Sequence, residues 1–178
     1  NLLFLAILLL FNGIVAYQVI VNGSDIHREN QLLENLQAAV LMLASIVFVA
    51  SAYTVKGLHR TLAAFFAVLS FIFFFRELDI EKFDVPQGIV FLLADNRGRS
   101  VFFVALLFLL GTLIKDWRFF ASHRQAYLRS HMFAFVSLSA VLLIVFSTVF
   151  DQKLVHVREY ILYEELSEFS PYYLLLVT

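Results

Sequence analysis

The sequence predicts an all-α integral membrane protein, a polytopic bundle of about six transmembrane helices forming one domain over residues 1–178. Three observations carry that expectation. First, 61% of the residues are hydrophobic and 15% charged, with a mean hydropathy of +0.85; a soluble domain is about half apolar and roughly a quarter charged. Second, apolar runs lie at 2–21, 36–55, 61–75, 101–114, 132–150 and 160–178, most of them near the roughly 20 residues that a helix needs to cross hydrocarbon. Third, these runs are continuously apolar rather than alternating, which excludes a closed β-barrel.

Taken in order, the run 2–21 reads as a span rather than a signal peptide, because no basic region precedes it and no small-residue cleavage site follows. The chain opens at Asn1 and closes at Thr178 beside or within apolar runs, so both ends read as cut from a longer protein. The second and third runs are joined by a tight basic turn at 56–60 that contains Gly57. The third run is short: 61–75 as helix covers about 22 Å, against a hydrocarbon core of about 30 Å. The segment 85–94 is shorter still and is opened by Pro86 and Gly88, so an interfacial or re-entrant piece is expected there. The fourth run, 101–114, could extend to Phe120. In the sixth, Glu164, Glu165 and Glu168 precede Ser170-Pro171 and a second apolar stretch, and Pro171 is a candidate kink.

Alternating the loops across a bilayer puts Lys56, Arg60, Lys115, Arg118, Arg124 and Arg129 on one side with Asp116 alone for an acid. On the other side acids accompany every base. Short basic loops mark the cytoplasmic face, so 56–60 and 115–131 are expected in the cytoplasm and the acidic loops outside. The expected location is a bacterial inner (plasma) membrane. Asn22-Gly23-Ser24 matches the N-glycosylation pattern on the outer side, close to the first span.

Where chemistry would reside follows from the short third run and the acid-bearing sixth. Arg76, Glu77 and Asp79 fall near the outer boundary of the core, and Glu77, Glu81 and Asp84 would share a face if the helix continued. Glu164, Glu165 and Glu168 reach a similar depth from the sixth run, with Arg158 and His156 just before it. Ionisable groups at that depth are costly unless paired or lining a polar cavity. Three readings stay open: solvated amphipathic helix ends, an ion-pair cluster tying two helices together with Arg76 and Arg158 as counter-charges, or a functional site. In the last case Glu77, Glu81, Glu164, Glu168 and His156 are the candidate ligands of a divalent cation, since hard cations take oxygen ligands. Alternatively, the carboxylates would relay protons.

Other chemistry finds little support. There is no cysteine, which removes thiolate metal sites and cysteine nucleophiles. His59, His123 and His131 share the basic side, but their spacing fits zinc poorly. None of the five histidines lies mid-span, which argues against haem. A net charge of −1 with no basic aromatic surface argues against a nucleic-acid partner. Lys115, Arg118, Arg124 and Arg129, with Trp117 and Tyr127 among them, read as an anchor for lipid headgroups or a partner. Mid-span polarity is mild: Asn12, Ser45, Ser51, Ser70, Thr112, Ser137, Ser139, Ser147 and Thr148, with hydroxyls able to bond their own helix. Gly13 and Gly111 would let helices approach closely.

The expected function is that of a non-catalytic accessory or assembly subunit. Its partners would be the bilayer and other membrane subunits or further copies of itself. The alternatives are a membrane enzyme acting on lipid through a metal held at the outer face, and a small proton-coupled carrier or channel.

Overall fold

A computed structural model describes residues 2–23, 32–78, 86–88, 90, 96–147, 149 and 160–178. Among these there is no strand. The helices are α1 (Leu2–Ile20), α2 (Leu32–Thr54), α3 (Leu58–Glu77), α4 (Asn96–Lys115), α5 (Trp117–Ser122), α6 (Arg124–Leu128), α7 (His131–Val141) and α8 (Tyr160–Leu176), with a π-helical stretch at Leu142–Ser147 following α7. Three helices are long and apolar enough to cross a membrane: α1, α2 and α3, of 19, 23 and 20 residues, or about 28 to 34 Å at 1.5 Å per residue. Shorter apolar stretches cover Ser100–Lys115 and His131–Val145.

The short third run gains its length from flanking polar residues. Gly57 starts α3 at φ +60°, a left-handed value that costs a glycine little. The helix then carries past the apolar stretch to Arg76 and Glu77. It stops because Leu78 is extended (φ −97°, ψ 112°), its N–H closing on the Phe74 carbonyl. The helix that carries Glu77 therefore ends before Leu78, and Glu81 and Asp84 lie outside the described residues. The fourth run does not reach Phe120 as one helix either: Asp116 (φ −99°, ψ 22°) separates α4 from α5. Ser130 caps α7, its hydroxyl accepting from the Phe133 N–H at 3.2 Å. Of the segment 85–94, only Pro86, Gln87, Gly88 and Val90 are described; the Val90 N–H bonds the Pro86 carbonyl at 3.3 Å, a single turn.

The chain forms two compact units, Asn1–Gln37 with Ala126–Thr178, and Ala38–Gln125. In the first, α8 is the central element: it packs on α1, α7 and the π-helical stretch, and Leu162, Phe169, Tyr172, Leu174 and Leu175 are buried. Phe11 of α1 meets Phe169 at 4.5 Å between ring centroids. In the second unit α3 packs on α4, through contacts such as Phe71–Phe102 at 5.4 Å. Phe48 of α2 stacks on Phe66 of α3 at 5.3 Å.

Much apolar surface is left facing outward. α1 is the most apolar helix, yet only Leu8, Val15 and Val19 of it are buried, while Leu2, Leu3, Leu9, Leu10 and Ile14 face outward. Alongside its apolar residues, the interior takes Gln37, Ser45, Ser70, Ser139 and Ser170. Apolar residues outside and hydrogen-bonding residues between helices suit a hydrocarbon solvent, which offers no alternative partner for a polar group.

Candidate functional site

Polar side chains in the first unit converge on α8. Pro171 lies inside that helix, and a proline has no N–H for the carbonyl four residues back. Side chains from other helices bond α8 on both sides of this gap. Ser139 of α7, almost wholly buried, donates to the Pro171 carbonyl at 2.9 Å. Asn12 of α1 donates through Nδ2 to Ser170 Oγ at 2.9 Å, and Ser170 donates to the Leu166 carbonyl at 2.8 Å. Gln37, fully buried near the start of α2, uses Nε2 twice: to Glu165 Oε2 and to the Glu165 carbonyl, both at 2.9 Å.

Two acceptors in this cluster, Asn12 Oδ1 and Gln37 Oε1, are buried without a hydrogen-bond partner. Reversing the Gln37 amide would not relieve this, because it would turn an acceptor toward the two Glu165 oxygens. The cluster therefore binds helices together with donors spent on α8 and acceptors left over. Its members come from α1, α2, α7 and α8, and the bonds run up to 158 positions apart in sequence.

The expected carboxylate site divides as follows. Glu77 lies in the second unit and is 8% exposed. It pairs with its neighbour Arg76, whose Nη2 and Nε approach Glu77 Oε1 at 2.7 and 2.9 Å. The Arg76 guanidinium also stands 5.8 Å from the centre of the Phe73 ring. Glu164, Glu165 and Glu168 lie in the first unit on α8, all partly buried, and Glu165 is the one that Gln37 engages. Asp79, Glu81, His156 and Arg158 lie outside the described residues. Among the described residues, no group of three or more His, Asp or Glu comes together in a way that could hold a metal ion.

The basic residues are exposed. Lys115, Arg118 and Arg124 are exposed in the second unit with Trp117, and Arg129 is exposed in the first. His59 meets the Phe119 ring edge-on at 5.7 Å, and His123 lies 4.6 Å from the same ring. Partial burial pushes the Tyr127 phenol above its ordinary value.

The polar residues within the apolar runs divide between their own helix and other helices. Thr112 bonds its own helix, at 2.7 Å to the Leu109 carbonyl. Ser45 and Ser139 instead cross to other helices, Ser45 reaching the Ala67 carbonyl of α3 at 3.1 Å. Ser70 is fully buried with no partner for its hydroxyl. Gly13 and Gly111 are exposed, and a Cβ added to either would meet nothing within 4 Å. Gln37 was missed because it stands at the polar edge of its apolar run; the available signal was an amide beside an unbroken stretch of small and apolar residues.

No protein-family model, curated protein or solved structure matches the chain.

Proposed function

We propose that the chain is a polytopic integral membrane protein of about six spans serving as a non-catalytic accessory or assembly subunit of a membrane complex. The proposed location is a bacterial inner (plasma) membrane, with 56–60 and 115–131 in the cytoplasm. The observation that carries the subunit reading is the setting of Gly13 and Gly111. Each is a helical glycine on an outward face among exposed apolar side chains: Leu9, Leu10 and Ile14 around the first, Leu107, Phe108 and Ile114 around the second. A mid-helix glycine costs about 1 kcal/mol relative to alanine, and among the described residues nothing fills the gap it leaves. A helix from another subunit, or from a second copy, would use it, because small residues let helix backbones meet closely in lipid.

Extraction in mild detergent is expected to yield an assembly larger than one 20.5 kDa chain with its detergent. Gly13→Leu or Gly111→Leu should break that assembly while leaving the isolated chain at least as helical and as stable. A natural extract that already holds single chains, with mass unaltered by either substitution, would overturn the proposal.

A further inference from the structure

We infer that the hairpin of α2 and α3 holds a phospholipid, one acyl chain in the groove between the two helices and the phosphate on Arg60. The groove has a volume of about 260 Å³ and is lined by Val49, Ala52, Tyr53, Arg60, Ala64, Ala67 and Val68. All of these belong to the second unit. Its floor is apolar and built from alanine and valine, so the two helices leave a trough where larger side chains would have met. Its mouth lies at the turn end of the hairpin, where Tyr53 is 81% exposed and Arg60 is exposed. Tyrosine and arginine at the end of apolar helices sit at headgroup level.

Length and charge both select this occupant. From Arg60 to Ala67 along α3 is about 10 Å, which fits within one leaflet of a hydrocarbon core about 30 Å thick. The Arg60 guanidinium has no ion-pair or side-chain hydrogen-bond partner among the described residues, and Lys56 and His59 flank it with no acid in 56–60. A guanidinium binds a phosphate through paired N–H groups. A free phosphate would use the mouth and leave the apolar trough to water; a phospholipid fills both. Phosphatidylglycerol matches the mouth better than phosphatidylcholine, whose own cation competes with Arg60.

The inference rests on the hairpin lying in a bilayer and is independent of the subunit reading. The test is native mass spectrometry of the purified full chain in detergent, titrated with phosphatidylglycerol, phosphatidylcholine or inorganic phosphate. Phosphatidylglycerol should be retained about fivefold better than phosphatidylcholine, the factor given by roughly 1 kcal/mol per basic residue at a membrane surface. Arg60→Gln should erase that preference. Ala64→Leu, which fills the trough, should lower retention of both lipids with unchanged far-UV circular dichroism. If Ala64→Leu fails to fold, the exposed Arg60→Gln decides alone. Equal retention of the two lipids by the wild type, an unaltered preference in Arg60→Gln, or displacement of the lipid by millimolar inorganic phosphate would overturn the inference. A chain that stays soluble without detergent would instead overturn the membrane reading on which it rests.

Discussion

The Gln37–Glu165 contact can be tested for what it contributes to the first unit. Gln37→Leu removes two hydrogen bonds of 2.9 Å from a fully buried side chain. In a water-soluble protein, a bond to a charged group is worth about 1.5–3 kcal/mol and a neutral one about 1. Between membrane helices, measured couplings average only ~0.6 kcal/mol with a maximum near 1.7, because the unfolded chain in lipid also finds partners. The same substitution deletes the orphaned Oε1, whose burial costs about 1–3 kcal/mol. Gain and loss overlap, so the single substitution is expected to move stability little in either direction and decides nothing alone.

A double-mutant cycle with Glu165→Leu isolates the side-chain bond, since the bond to the Glu165 carbonyl survives that replacement. The expected coupling is about 0.6–1.7 kcal/mol, read from reversible unfolding in mixed micelles followed by far-UV circular dichroism. With Glu165→Gln in place of Glu165→Leu the coupling should largely vanish, because the amide oxygen still accepts from Nε2. A Gln37/Glu165→Leu coupling no greater than the ~0.3–0.5 kcal/mol by which independent sites fail to add would refute the reasoning and leave Glu165 as a solvated helix residue.

Two further outcomes are expected. The chain has no cysteine, so single cysteines can be placed without altering a background: at Lys56 and Arg124 they should react with an impermeant maleimide only from the cytoplasmic side of oriented vesicles, and labelling from the outside would invert the topology. The raised Tyr127 phenol contributes stability that is whole below the unfolded phenol's ordinary value of about 10. That contribution declines as pH rises through the higher folded value. Tyr127→Phe should therefore flatten the alkaline fall in unfolding midpoint, and an unchanged alkaline limb would remove the assignment.

The three long apolar helices were legible because continuous apolar runs of about 20 residues read directly as helices. The apolar runs at 2–21, 36–55 and 61–75 correspond to α1, α2 and α3, and the sixth run starts where α8 does, at Tyr160. Boundaries failed where a single backbone angle decided them. The stop at Leu78 does not follow from composition, since leucine continues the helix at many other positions, and the break at Asp116 is a matter of one residue's backbone angles.

Burial was the least legible property. In water, the most apolar helix is the one to look for in the core; here α1 is the most apolar and the least buried of the three long helices, while the three-glutamate α8 is central to its unit. Lipid satisfies leucine as well as a neighbouring helix does, so it is the polar groups that need neighbours. Asn12 and Ser139 were visible as polar positions, but their partners, Ser170 and the Pro171 carbonyl, lie 158 and 32 residues away. No local pattern records such pairings. Glu165 could not be separated from Glu164 and Glu168 by spacing, and Gln37 is what distinguishes it.

The bond between Asn12 and Ser170 also constrains how the protein is made. The asparagine leaves the ribosome 158 residues before its partner exists, and at a synthesis rate of about 5–20 residues per second that interval is on the order of ten to thirty seconds. Throughout it, the first helix must carry an amide without its final acceptor, held by the insertion machinery, by water or by lipid headgroups. Maturation of this unit therefore awaits α8, and a nascent chain halted before α8 should remain sensitive to the quality-control proteases that survey unpaired polar groups in membranes.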